Sequence, residues 1–355
     1  MTRNTSLPAA NLRRLACSFA CSMLASAFPL MILHAQQPAT TPPAQAPPAA
    51  SQQQSAPPAQ TPGAQQPAPP DNEPDAGAPT IRAIVNEVNL IFTVTDRHGH
   101  YIPNLKQSDF ALLDDQKAPA KVNSFRQQIN LPLRVGIVID ASTSIRTRFQ
   151  FEQQSATEFL IETLKPQADR GFVMGFDVTP TITADWTNNL DALETGINRL
   201  RPGGGTAMFD AVYTACRDKL LPERGREPVR RAMILISDGD DNQSRVRADE
   251  AIKMCERSET IIYAISTNWT PSRGKGDQVL QQMSDATGGT TFFPPSVEEM
   301  TNSFHEIQAE LRSQYALNYT PADFKANGAF RPIYLFCNDR RYQVRARKGY
   351  FAPTQ

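Results

Sequence analysis

The sequence predicts an α/β domain with a doubly wound, mainly parallel sheet flanked by helices, set between two β-rich flanks that together build a smaller, β-sandwich-like domain. Three observations predict it. Strand-like apolar runs at 134–139, 171–176, 232–236, 260–265 and 290–293 alternate with helical patterns, as in sheets whose parallel strands are joined by helical crossovers. The intervening helices carry apolar stripes at three- and four-residue steps, Met300, Phe304, Ile307 and Leu311 in one and Met208, Val212, Cys216 and Leu220 in another, so each buries one face. Outside this region the pattern changes to short strand-like runs separated by turns, with too few on either side to stand alone.

The N-terminus comes first. Arg3, Arg13 and Arg14 precede an apolar run over residues 15–33 and then His34-Ala35, the shape of a secretory signal cleaved after Ala35. The alternative is an uncleaved membrane anchor, because the run is long and Leu33 is large for the minus-three position. Pro29 and the small Ala25, Ser26 and Ala27 disfavour a stable spanning helix. Either way the remainder is expected outside the cytoplasm, in the periplasm, on the cell surface or secreted, with membrane association only if the signal is retained. Residues 36–79 are almost wholly Gln, Pro, Ala, Thr and Ser, a composition that buries too little apolar area to offset the entropy of ordering, and they read as a disordered tether.

Order begins near Ile81. Within 80–130, Val85, Val88, Leu90, Phe92 and Val94 mark one strand, residues 96–100 a turn, 109–113 a second strand and 122–126 a third. After the central domain, expected over 131–313, the segment 314–355 supplies runs at 314–319, 331–336 and 342–347. The two flanks are therefore expected to meet in one discontinuous sandwich. Within the centre, 178–184 follows Phe176 after a very short gap and reads as an antiparallel edge strand.

Charge and cysteine content limit the function classes. Lys and Arg number 36, as do Asp and Glu, so no overall field draws the chain to nucleic acid. Cys17 and Cys21 fall in the signal, leaving Cys216, Cys255 and Cys337. This sparse, odd set is no disulfide framework and contains no CxxC pair for zinc. One disulfide remains open, while the apolar stripes on which Cys216 and Cys255 fall make buried small hydrophobes the default reading.

Ligand sites in such sheets lie beyond the carboxyl ends of the strands, at the topological switch point. Three loops fall there: Asp140-Ala141-Ser142-Thr143-Ser144 after the first central strand, Pro202-Gly203-Gly204-Gly205-Thr206 before the helix opening at Ala207, and Ser237-Asp238-Gly239-Asp240-Asp241 after the run 233–236. They supply two carboxylates and three hydroxyls with no imidazole or thiolate. That donor set suits a hard divalent cation, Mg²⁺ first, with Mn²⁺ or Ca²⁺ as alternatives. Two carboxylates leave such an ion free to attract a third.

These residues resemble the metal-ion-dependent adhesion site of von Willebrand A domains, whose pattern is Asp-x-Ser-x-Ser, then Thr, then Asp. Asp140, Ser142 and Ser144 match the first element, Thr206 the second and Asp238 the third. The resemblance implies direct cation contacts from Ser142, Ser144 and Thr206, and contacts through water from Asp140 and Asp238. It also implies a protein partner that presents an Asp or Glu to the ion, and adhesion or protein binding rather than catalysis. The flanking segments 94–96, 109–115, 315–321 and 345–350 resemble the A-domain-related proteins of acidobacteria. A structural or assembly scaffold with a purely structural ion is the alternative function, and a metal-dependent hydrolase a weaker one, since no positioned general base accompanies the loops.

Several features read more plainly. Asp238, Asp240 and Asn242 begin like a calcium-binding helix–loop–helix, but Gln243 stands where glycine is needed. Asp240 and Asp241 read as solvated, His98 and His100 as residues of an exposed turn, and the pairs Arg230-Arg231 and Arg340-Arg341 as strand-edge charges.

Overall fold

The computed structural model describes residues 87–128, 131–224, 229–270 and 272–354. The signal and tether expected over 1–79, and the strand residues Ile81 and Val85, lie outside them.

Three strands precede the central domain: β1 (Val88–Thr95), β2 (Phe110–Asp114) and β3 (Lys121–Gln128). The central sheet contains β4 (Leu133–Asp140), β5 (Arg170–Phe176), β6 (Pro180–Thr187), β7 (Arg230–Ser237), β8 (Thr260–Ser266) and β9 (Thr291–Phe292), in the order β6-β5-β4-β7-β8-β9. All neighbours are parallel except the edge strand β6, which is antiparallel to β5 as the short gap after Phe176 predicts. A strand covered on both faces carries a near-continuous apolar run, and all eight residues of β7 are buried, with Ala232 to Ile236 wholly apolar.

Six helices cover the sheet: α1 (Phe149–Thr163), α2 (Leu190–Arg199), α3 (Met208–Thr214), α4 (Ala248–Arg257), α5 (Lys275–Thr287) and α6 (Val297–Arg312). Period-two alternation along the strands divides the core. Val135, Ile137 and Ile139 of β4 pack with Phe159 of α1, Ile197 of α2 and Phe304 of α6 on one face. Val138 packs with Val212 of α3, Cys255 of α4 and Leu280 of α5 on the other. The chain runs from β4 to β5 on one side, while β7 lies on the other, so the switch point falls between the ends of β4 and β7.

The flanks pair with each other. β10 (Gln314–Thr320), which starts one residue beyond the C-cap of α6, lies between β1 and β3, and β12 (Gln343–Ala346) closes the other side of β1. A second sheet contains β13 (Gly349–Phe351), β11 (Phe330–Cys337) and β2. Alternate residues of both sheets, among them Leu90, Phe92, Tyr315, Leu317, Ile333 and Tyr350, share one core. The strand expected over 342–347 is β12, and the chain then crosses to the second sheet as a further short strand, β13, that the sequence reading did not include. Gly349 permits the crossing, because a Cβ there would stand 2.3 Å from the Phe330 ring.

Two sequence readings are corrected. Cys216 and Cys255 are buried, but as a disulfide joining the segment after α3 to α4 with Cα atoms 5.1 Å apart. Apolar stripes on two facing helices bring the sulfurs together, which the stripes taken singly do not reveal. Arg230 and Arg231 are buried rather than edge charges, because β7 is central; Arg231 bonds Ser258 O at 2.7 Å and Glu259 at 2.7 Å.

Candidate metal site

The ends of β4 and β7 are neighbours because the strands are paired from Leu133↔Arg230 to Ile139↔Ile236. Asp140 closes β4 and is fully buried. One of its oxygens accepts from the Ser142 amide at 2.8 Å and the other from the Ser237 hydroxyl at 2.7 Å. Burial raises its pKa to about 6; the bonds from Ser237 and Ser142 act against this, and the nearby Asp238 carboxylate adds to it.

From Asp140 a chain of oxygens runs outward. The Ser142 and Ser144 hydroxyls are 3.0 Å apart, and Ser144 donates to Asp238 Oδ2 at 2.9 Å. Asp238 Oδ1 accepts from the Asp240 amide at 3.1 Å, fixing the turn after β7. Gly239 turns there with φ +81°, and a Cβ would lie 2.3 Å from Gly276 O on α5, so only glycine lets this loop lie on the helix.

The glycine-rich loop is held against both others. Gly203 N donates to Ala141 O at 2.8 Å, and the Thr143 hydroxyl donates to Gly204 O at 2.8 Å. Gly204 has φ +69°, which a side chain rarely adopts. The Thr206 amide donates to Asn242 Oδ1 at 3.0 Å, while Thr206 O accepts from the amides of Asn242 and Gln243, each at 3.0 Å. Thus Ser142, Ser144 and Asp238 are linked through side chains, Asp140 is joined to them through the Ser142 amide, and Thr206 joins the same three-loop cluster through its backbone.

Asp241 is not merely solvated. Its Oδ2 accepts from the Phe209 amide at 3.0 Å and from the Ser244 hydroxyl at 2.6 Å, anchoring the first turn of α3 directly after Thr206. Asn242, Asp241 and Ser237 are therefore positioning residues that the motif alone does not name. Glu152 was also unforeseen. It sits in the first turn of α1 with no exposed surface, and neither carboxylate oxygen has a hydrogen-bond partner among the described residues. Burial raises its pKa to about 8, with Arg148 opposing the rise and Asp140 and Asp238 adding to it. Its one sequence signal is register: it falls three residues after Phe149 and four before Ala156, both buried.

The donors fit a hard divalent cation. Two carboxylates and the hydroxyls of Ser142 and Ser144 converge, with Thr206 in the adjoining loop, while no Lys or Arg forms an ion pair with Asp140 or Asp238 among the described residues. The described residues contain no group of three or more His, Cys, Asp or Glu placed to hold a metal. His98 and His100 lie in an exposed turn of the flank, where His100 bonds Asp96 at 3.1 Å.

Comparison with known proteins adds the family. Residues 135–309 match the model of the von Willebrand factor type A domain. This region is a von Willebrand factor type A domain. The matched span starts inside β4 and ends inside α6, so it takes in all three loops. Two curated relatives, both called UPF0353 protein, come from Mycolicibacterium gilvum, at 24% identity over 203 residues, and Mycolicibacterium vanbaalenii, at 22% over 206 residues. Each alignment covers 50% of this chain, and the chain spans 60% of the length of those relatives. Among solved structures, the A domain is similar to mussel byssus proximal thread matrix protein 1 with a zinc-occupied metal-ion-dependent adhesion site, at 18% identity and TM-score 0.45 over 57% of this chain and 50% of that one. It is also similar to a von Willebrand factor type A protein from Catenulispora acidiphila, at 15% identity and TM-score 0.43 over 69% of this chain and 73% of that one. BatB from Bacteroides thetaiotaomicron matches at 16% identity and TM-score 0.41 over 51% and 100% of the two chains.

Proposed function

We propose that the chain is an exported, non-enzymatic binding protein whose A domain holds one divalent cation, Mg²⁺ in the first instance, and uses it to engage an Asp or Glu of a protein partner. The observation that carries this reading is Asp140: a fully buried carboxylate, joined through Ser142 and Ser144 to a second carboxylate, Asp238, with no ion-paired cation on either among the described residues. Buried negative charge without a counter-charge is costly. Ser142, Ser144 and Thr206 would contact the ion, and Asp140 and Asp238 would hold its water and balance its charge. The bound ion would supply a Lewis-acidic position for the partner's carboxylate. Among the described residues no imidazole or thiolate belongs to the oxygen cluster, which supports binding rather than turnover.

Export is supported by the signal-like N-terminus and by the Cys216–Cys255 disulfide, a bond that persists in oxidising compartments. No described helix is long and apolar enough to cross a membrane.

The test is titration of the purified chain with Mg²⁺, Mn²⁺ and Ca²⁺ by calorimetry and thermal shift, followed by capture from the cell envelope with and without chelator. A saturable response with chelator-sensitive capture is expected. No response to any of the three ions overturns the cation site. A response with capture indifferent to chelator favours the scaffold reading, in which the ion only stiffens the three loops that the Gly203, Thr143 and Asn242 bonds already join.

A further inference from the structure

Beneath the oxygen cluster lies a group that the cation reading leaves unused. Glu152 has no exposed surface and no hydrogen-bond partner for either oxygen among the described residues. A partnerless buried carboxyl is rare, because desolvating it without compensation is costly. Hydrophobic packing does not explain its placement, since Phe149 and Ala156 fill the adjoining positions of the same helix face.

The charges that act on Glu152 come from three elements. Arg148 is the N-cap of α1, Asp140 ends β4 and Asp238 follows β7. Arg148 is engaged elsewhere: it donates to Thr267 O and lies 4.5 Å over the Trp269 ring. Among the described residues, the other helices packed on α1 bring no further charge to this turn. From α2, Ile197 O accepts from Gln153, and α6 meets α1 through His305 and Glu162, ten residues further along the helix. Arg148 is the strongest of these charges and opposes protonation of Glu152, while both carboxylates of the candidate metal site favour it, so a change in the charge of that site is felt at Glu152.

We propose that Glu152 is a positioning carboxylate that binds a proton when the site holds no cation and releases it when a divalent cation is held, so that the two ions exchange. This rests on the cation reading above and assigns Glu152 no direct contact with the ion. Charge balance supports the exchange. With Glu152 neutral, Asp140, Asp238 and Arg148 sum to one negative charge, and a divalent cation would leave one positive charge. Loss of the Glu152 proton brings the sum to zero. The raised proton affinity of Glu152, with its pKa of about 8, places this exchange in the neutral range.

The experiment is calorimetric titration of the full chain with Mg²⁺ or Mn²⁺ at pH 7 in two buffers of different ionisation enthalpy, which counts protons released per cation bound. The native chain is expected to release close to one, with affinity rising roughly tenfold per pH unit between pH 6.5 and 7.5. Glu152→Gln keeps the shape of the side chain and should bind the cation while releasing close to none, with affinity nearly independent of pH over that interval. A native chain that binds cation without releasing a proton overturns the proposal and leaves the cation site standing. So does a Glu152→Gln chain that releases as many protons as the native one. Absence of binding in the native chain removes the cation reading and this inference together. Should Glu152→Gln fail to fold, the native proton count alone still decides.

Discussion

At the end of the central sheet where the strands begin, Glu259 sits among Arg224, Arg231 and Arg347 at 3.3, 2.7 and 3.2 Å, whereas at the end where they finish Asp140 and Asp238 have no such partner among the described residues. Burial pushes the Glu259 pKa up, but the three guanidiniums outweigh it and the carboxyl ends below its ordinary value. Nearby, Glu310 of α6 bonds Arg345 of β12 at 2.5 Å and the Tyr263 hydroxyl at 3.1 Å. The flank follows the same rule: Asp114 accepts from Arg331, Tyr319 and Tyr350 at 2.7, 2.7 and 2.9 Å. Where strands begin, and in the flank, arginine pairs with these carboxylates, although burial still holds Glu310 above its ordinary value. Where strands end, burial instead raises Asp140 and Glu152, and repulsion between the acids adds to the rise. A charge balanced by arginine is permanent. One left open can be balanced reversibly, by a proton or by an ion from solution.

The sharpest break in this comparison is Asp140→Ala. It should reduce Mg²⁺ affinity by more than the roughly ten- to hundredfold typical of losing a group that only orients a ligand. It should also disturb the Ser142 amide and Ser237 hydroxyl that Asp140 holds. Calorimetry reads the affinity, and an unchanged value would mean that the open charge at this end is not where the ion goes.

The complementary variant is Asp114→Ala in the flank. It removes the nearest partner of Arg331, whose side chain is 9% exposed, leaving only the longer contacts to Asp115 at 3.6 Å and Ala322 O at 3.3 Å, and it leaves the Tyr319 and Tyr350 hydroxyls without their acceptor. Breaking a buried pair from one side costs about 3–5 kcal/mol. Denaturant unfolding should show that loss, while cation affinity in the protein that remains folded stays within a factor of about two, the usual limit for distant independent sites. Coupled losses would show that the two regions are not independent.

Much of this contrast was legible in the sequence, for reasons that differ by element. The strands β4, β5, β7 and β8 declare themselves because doubly covered strands must be apolar at successive positions. The oxygen cluster is legible because its loops lie beside strand ends whose order the α/β pattern fixes, so Asp140 and Asp238 are brought together through Ser142 and Ser144 as that order requires. Glu152 was not legible, because a glutamate in the first turn of a helix ordinarily faces water and favours the helix dipole. It instead shares the buried face of α1 with Phe149 and Ala156, where a carboxylate is the exception. The Arg347–Glu259 pair joins residues distant in sequence across the flank and the A domain, and nothing in either local pattern points to the other.

A smaller effect concerns the disulfide. Cys216–Cys255 joins the helices on the face formed by α3, α4 and α5, away from α1 and Glu152. Replacing both cysteines with alanine should cost about 2–4 kcal/mol, mainly through a freer unfolded chain. Cation affinity and the proton count should not change, because neither cysteine touches the oxygen cluster. A parallel fall in affinity would show that this helix face helps to set the position of Thr206, which directly precedes α3.

The smallest expected effect isolates charge from burial. Lys117 and Asp323 form an ion pair in the flank whose side chains are 60% and 65% exposed. Lys117 holds the Asp323 pKa below its ordinary value, yet water and salt screen the pair on every side. Asp323 has φ 51°, a left-handed conformation that asparagine also tolerates. Asp323→Asn therefore removes the charge without adding backbone strain. The melting temperature should stay within about 1 °C of the native value at moderate salt, since exposed ion pairs contribute little. The chain's response to Mg²⁺ should be identical. A clear loss of stability would mean that exposed carboxylates here also depend on a partner, and the contrast between the two ends of the sheet would then reflect charge pairing in general rather than the burial that makes an unpaired carboxylate costly.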